Sequence, residues 1–212
     1  MKRLLCFLCA TALTLTLCAC QQQVDKAKEI ANNVKEDLIP TQTTQTTQHE
    51  VALKRGNAVG NVCYDAQLPV VTADGIQSVT VDPTSFGKVT VIHFWGTWCA
   101  PSLAEMPYFD AVAKKYGEEM KVVAVHGMMV SAAPDYIAQN YPDSSILFLS
   151  DYIPDGNEEI NRTGYYTLLG GRNNAYPRTV VLNKQGIITH VFDQKISETE
   201  LETAVLEAMG RM

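Results

Sequence analysis

The chain has 212 residues, of which 46% are hydrophobic, with 17 basic against 23 acidic side chains and a formal net charge of −6. That much apolar material suits one core of ordinary size. An acidic surface argues against nucleic acid as a partner, because phosphate binding needs clustered lysine and arginine.

Residues 1–19 read as a lipoprotein signal peptide. Lys2 and Arg3 form a basic start, and Leu4 to Leu17 is apolar but too short and too rich in threonine for a membrane span. Leu17-Cys18-Ala19-Cys20 matches a lipoprotein cleavage box, with cleavage before Cys20 freeing it for lipidation. An ordinary secretory signal is the plainer alternative. Either way the chain is expected to act outside the cytoplasm, anchored in the first case to the cell membrane through lipid on Cys20. One acyl chain binds weakly, so a second membrane contact is expected. Loss of the leader removes two basic residues and no acid, leaving 15 − 23 = −8.

Six cysteines reduce quickly to two. Cys6, Cys9 and Cys18 leave with the leader, and Cys20 is blocked as a thioether. Cys63 and Cys99 cannot build a metal cluster or a disulfide scaffold between them. No metal and no cofactor are expected.

Residues 20–57 read as a lipid-anchored flexible linker. Val24, Ala27, Ala31, Val34 and Leu38 fall near helical spacing, allowing a short amphipathic helix stopped by Pro40. Thr41 to Gln48 is of low complexity and is expected to be a disordered tether. Random-coil scaling gives the linker a span of roughly 35 Å.

A single domain is expected over 58–212. A leading hairpin is predicted from Cys63 to Val81, turning at Ala73-Asp74-Gly75. Strands are predicted over Val89–Trp95, Lys121–His126, Ile146–Leu149, Thr179–Asn183 and Ile187–Phe192. Helices are predicted over Leu103–Tyr116, Ala133–Asn140, Glu158–Tyr165 and Glu198–Met209. Asn183-Lys184-Gln185-Gly186 joins the last two strands as a hairpin. The first two of these five strands alternate with helices, which implies parallel pairing. Pro107 falls inside a helix and is expected to kink it.

The most informative stretch is Phe94-Trp95-Gly96-Thr97-Trp98-Cys99-Ala100-Pro101-Ser102. A buried strand delivers a cysteine to the start of a helix, where the positive end of the backbone dipole favours thiolate over thiol. Pro101 suits the first helical turn, where its missing N–H matters little. Ser102 lies one turn beyond Cys99. Its hydroxyl is placed to donate to the thiolate, but it cannot attack a disulfide.

Trp98-Cys99-Ala100-Pro101 resembles the active-site element of the thioredoxin superfamily. Phe94 to Cys99, followed by Glu105-Met106-Pro107, is similar to the TlpA/ResA-like branch of extracytoplasmic thiol–disulfide oxidoreductases. Tyr176-Pro177-Arg178-Thr179-Val180-Val181-Leu182-Asn183 resembles that family's active-site proline and the strand after it. The resemblance covers roughly Val59 to Met209. It implies an α/β thioredoxin fold, a central mixed sheet flanked by helices with N-terminal strand additions. It implies substrates that are thiols or disulfides of exported proteins, with a membrane electron donor as a further candidate partner. Cys99 is then the nucleophile and Glu105 a group that influences proton transfer, against the plain alternative of a solvated helix residue. Pro177 is expected to be cis and to lie against Cys99, exposing the backbone of Tyr176 to an extended substrate. Trp98 is expected to form a rim for peptide, and Trp95 to belong to the core.

The departure is Ser102, where the family has its resolving cysteine. Three readings stand open: a natural monothiol site, a laboratory substitution that traps mixed disulfides of a dithiol reductase, and a site that has lost redox activity. The last makes the protein a peptide-binding module. Cys63 reads as an inert buried cysteine rather than a displaced resolving thiol. His93, His126 and His190 read as satisfied strand histidines. Tyr165 to Arg172 is expected to form a loop beside the active site with no assigned role.

Overall fold

The computed structural model describes residues 53–128, 130–151 and 164–212. The predicted leader, Cys20, nearly all of the linker and most of the predicted helix Glu158–Tyr165 lie outside these residues.

Among the described residues the first two strands, β1 (Leu68–Thr72) and β2 (Gly75–Val81), form a hairpin. Gly75 takes φ 117° at the turn, a conformation that a side chain disfavours. β3 (Val89–Trp95) then leads through a short turn into α1 (Ala100–Tyr116). β4 (Met120–His126), a 3₁₀ turn (Val130–Ala132), α2 (Ala133–Asn140) and β5 (Leu147–Ser150) follow. After the short helix α3 (Tyr165–Leu168) come β6 (Arg178–Leu182), β7 (Ile188–Phe192) and α4 (Glu198–Ala208). α4 is started by a capping box, with Ser197 and Glu200 bonding each other's backbone amides.

Among the described residues seven strands form one sheet in the order β2-β1-β5-β4-β3-β6-β7. β3 pairs parallel with β4 and β4 parallel with β5. β6 runs antiparallel to β3 and turns into β7 through the predicted hairpin. This is the mixed sheet that the sequence implied, with the leading hairpin added at one edge.

All seven residues of β3 are buried. Alternate side chains feed two cores, one on each face of the sheet. Val91 and Trp95 pack with Met106, Phe109, Leu201 and Val205 from α1 and α4. Ile92 and Phe94 pack on the other face with Val125, Leu149, Tyr165, Tyr166 and Leu169. A shift of β3 by one residue would exchange the two sets, so its register is tightly fixed. Since β3 is fixed, the turn at its end is fixed too, and with it Cys99.

α1 runs unbroken from Ala100 to Tyr116 with Pro107 inside it. The helix predicted to run through Pro107 does so, and Met106 and Phe109 on either side of the proline are fully buried and hold both halves to the sheet.

Candidate active site

Cys99 is the N-cap of α1, with extended backbone angles, and Pro101 stands in the helix's first turn. The turn before it closes through Cys99 N–H, which donates to the Gly96 carbonyl at 2.9 Å. The side chain of Cys99 is mostly covered, at 7% exposure. Its Sγ lies 3.5 Å from the carbonyl oxygen of Tyr176. The Tyr176–Pro177 peptide bond is cis, and Pro177 is buried. Two segments 77 residues apart in sequence therefore meet at one sulfur, as the motif pair implied.

The backbone edge at Tyr176 is less open than expected. Its N–H already donates to the Asn174 carbonyl at 3.1 Å, so an extended substrate would have to displace that bond. The Tyr176 ring stacks on Tyr166 at 4.6 Å and meets Trp98 edge-on at 5.1 Å. Tyr166 is fastened in turn, its hydroxyl donating to the Ala175 carbonyl at 2.9 Å. Trp98 is half open at 45% exposure, and its indole N–H donates to the Met128 carbonyl at 3.3 Å. Met128 is equally exposed, so an apolar lip runs beside the thiol. Trp95 is fully buried, as predicted.

Ser102 does not serve the sulfur. Its hydroxyl donates to the backbone carbonyl of Cys99 at 2.8 Å and accepts a long contact from Gly96 N–H at 3.5 Å. The hydroxyl bonds the carbonyl in place of the expected thiolate. A serine in the first turn of a helix reaches back to the carbonyl three residues before it. Ser102 has no exposed surface.

Glu105 is also fully buried, which corrects the plain reading of a solvated helix residue. Its Oε1 accepts from the Ile196 amide at 2.5 Å, in the segment that precedes α4. Among the described residues its Oε2 has no hydrogen-bond partner. Burial pushes the carboxyl up to about 7, against smaller opposing effects of the Ile196 amide and Lys195. It can hold or release a proton near neutrality.

Cys63 is buried in the core face opposite α1, with Ile92, Leu182 and Ile188. Its Sγ lies 3.5 Å from the Tyr165 hydroxyl, and burial pushes the thiol up to about 11. Its amide donates to Gly186 at the turn end of β6, while Tyr176 and Cys99 sit at the other end of that strand. A disulfide needs Cα atoms about 4.4–6.8 Å apart, so this placement keeps the two thiols unbridged.

Sequence reasoning missed two partners of the site. His126 is a satisfied strand histidine as predicted, yet its Nε2 accepts the Thr97 amide at 3.0 Å and so touches the turn that carries Cys99. Tyr166 backs the Tyr176 ring from within the stretch that had no assigned role. No local signal marks either contact: His126 lies 29 residues from Thr97, and Tyr166 meets Tyr176 only through the path of the loop between them.

A thioredoxin-type sheet with a cysteine capping the helix after β3, opposite a cis proline, defines a thioredoxin-fold protein. The Redoxin family pattern matches residues 56–209, and the chain belongs to that family. It is 28% identical over 119 residues to the thioredoxin-like protein YneN of Bacillus subtilis (strain 168), covering 55% of this chain and 62% of that one. It is 27% identical over 117 residues to the thiol–disulfide oxidoreductase ResA of Halalkalibacterium halodurans, covering 55% and 60%. Both alignments span less than two-thirds of the relative. Among solved structures it resembles a secreted thiol–disulfide isomerase from Corynebacterium glutamicum, with a TM-score of 0.52 and 19% identity over 79% of this chain and 98% of that one.

Proposed function

We propose that the protein is an extracytoplasmic thiol–disulfide exchange protein that works on cysteines of exported proteins through a single thiol, Cys99. The observation that carries this reading is the position of Cys99 Sγ, at the cap of α1 and 3.5 Å from the carbonyl that precedes the cis proline. The YneN and ResA likenesses support the same chemistry. Removal of residues 1–19 and lipidation of Cys20 would hold the domain at the membrane on the linker 20–57.

In the first step the Cys99 thiolate attacks one sulfur of a substrate disulfide. The substrate S–S bond breaks, a mixed disulfide forms, and the departing substrate thiolate takes up a proton. Glu105 is the proposed local proton holder, by virtue of its burial and near-neutral carboxyl. Trp98, Pro101, Tyr176 and Pro177 form the face against which the substrate lies. Ser102 cannot complete the second step. A second thiol of the substrate can do so by attacking the substrate's own sulfur, which closes a rearranged disulfide and returns Cys99 as thiolate. That route is isomerisation and moves no net electrons. Net reduction instead needs an external thiol, from a membrane electron donor or a small molecule.

A non-enzymatic peptide-binding module is the second reading, favoured by the 7% exposure of Cys99. The two separate in a scrambled-ribonuclease assay with wild type and Cys99→Ala. Recovery of ribonuclease activity by wild type alone is the expected result. Equal and negligible recovery by both proteins would remove the exchange reading.

A further inference from the structure

His126 is the last residue of β4, paired in register with Trp95, the last residue of β3. It is fully buried, and the Trp95 ring meets it edge-on at 4.8 Å. Its Nδ1 lies 2.7 Å from the Gly127 carbonyl oxygen. A carbonyl only accepts, so Nδ1 carries the hydrogen. Its Nε2 lies 3.0 Å from the Thr97 amide, which only donates, so Nε2 offers its lone pair. Each partner has one possible role, and together they admit one form of the ring: neutral, with the proton on Nδ1.

The backbone around the ring is clamped as well. Gly127 N–H donates to the Trp95 carbonyl at 3.0 Å, and Asp151 N–H donates to the His126 carbonyl at 2.9 Å. The turn that carries Cys99 is thus tied to the end of β4 and the residues after it at two points. One is Thr97 N–H on His126, and the other is the Trp98 indole on the Met128 carbonyl.

We propose that His126 is a positioning residue for Cys99, and that protonating its ring unfastens the turn from Gly96 to Trp98. An imidazolium carries hydrogen on both nitrogens. Its Nε2–H would face the Thr97 N–H, donor against donor, and a buried bond would become a repulsion.

Among the described residues, the groups packed around the ring do little to favour its charged form. Asp151 turns its carboxylate to the amides of Tyr165 and Tyr166. Tyr136 of α2 lies beyond the Trp95 ring, and the Tyr176 hydroxyl packs on Gly127. Cys99 is the titratable group on the turn itself. Burial lowers the imidazole below its ordinary range, only partly offset by the Gly127 carbonyl. The contact therefore holds at neutral pH and opens as the medium becomes acid.

This inference rests on Cys99 as the reacting thiol, so the test reads the contact both with and without turnover. The full chain is compared with His126→Gln, whose amide oxygen can accept near the Nε2 position without titrating, and with His126→Phe, which keeps a ring and loses the acceptor. Mixed-disulfide formation at Cys99 with a cystine-containing peptide is followed by mass against pH. His126→Phe should be slower by about fivefold to tenfold at neutral pH, the worth of one buried hydrogen bond left unmade. His126→Gln should stay within about twofold of wild type and lack the extra acid loss that wild type shows. Equal rates for His126→Phe and wild type, with wild type reactive, would overturn the inference. Nitrogen-15 shifts of the wild-type ring need neither a variant nor turnover. They should show hydrogen on Nδ1 at neutral pH and a Thr97 amide shift that titrates with the ring. Hydrogen on Nε2, or a Thr97 amide indifferent to that titration, would also overturn it. A wild type that forms no mixed disulfide while the Thr97 coupling holds would sink the exchange reading alone.

Discussion

Replacing Glu105 with glutamine should change the pH dependence of stability more than stability itself. The side chain is fully buried, and burial raises its carboxyl from 4.5 to about 7. A group whose folded pKa lies above its unfolded value favours folding while it is protonated. That contribution is complete below about pH 4.5 and is lost as pH rises through 7. The gap between the two values corresponds to ~3 kcal/mol in all, of which ~2–3 kcal/mol falls between pH 5 and pH 8. Glutamine imitates the protonated acid, and its amide oxygen can still accept the Ile196 N–H. Wild type and Glu105→Gln should therefore unfold in urea with similar free energies at pH 5. At pH 8 the variant should be the more stable by ~2–3 kcal/mol with an unchanged denaturant slope. Other titrating groups, Asp151 among them, are common to both proteins and cancel in the difference. A difference that stays constant from pH 5 to pH 8 would refute the reasoning, for it would mean that the carboxyl ionises in the folded protein as it does in water.

Ser102→Cys should form an internal disulfide with Cys99 and reduce insulin faster than wild type; oxidation without any gain in exchange would mean that the site has decayed beyond one sulfur. Ser102→Ala should lower stability by only ~1 kcal/mol, because the Cys99 carbonyl keeps the Leu103 amide at 3.0 Å when the hydroxyl is removed. A loss above ~3 kcal/mol in urea unfolding would assign that hydroxyl a larger part than one hydrogen bond. Cys63 should resist alkylation at pH 8 in the folded protein and react once the chain is unfolded, since burial pushes its thiol up to about 11. Peptide mapping of the oxidised protein should find no Cys63–Cys99 bridge, and a good yield of one would make the protein a dithiol enzyme.

The fold was legible because its elements announce themselves locally. β3 is an unbroken apolar run, the β6–β7 turn is Asn183 to Gly186 with Gly186 at φ 74°, and α4 begins at a capping box. The site was legible where it copies a short motif: Cys99 at a helix start, Pro177 after Tyr176. What sequence could not supply were directions. Ser102 faces the carbonyl of Cys99 and not its sulfur, a choice made by backbone geometry within one turn. Glu105 finds its partner 91 residues away at Ile196, and the Thr97 amide finds His126 29 residues away. Such pairs arise from the order of strands in the sheet. One-dimensional spacing carries no trace of them.

The geometry at Ser102 bears on how the site works as well as how it folds. A serine hydroxyl is a stronger donor than a thiol, and here it holds the Cys99 carbonyl at the start of α1 from a position with no exposed surface. The residue that would release a mixed disulfide in a dithiol protein instead fixes the backbone of Cys99. Attack by Cys99 needs nothing from it. Release in a dithiol protein relies on this position, because a thiol three residues away acts at a very high effective concentration, while a thiol from solution or from elsewhere in the substrate must find the sulfur by diffusion or chain motion. Mixed disulfides on Cys99 should therefore outlive those of a dithiol relative. A long-lived intermediate gives a bound substrate time to bring its own second thiol to bear. In the exchange reaction proposed for Cys99, the serine would therefore favour rearrangement of substrate disulfides over their net reduction.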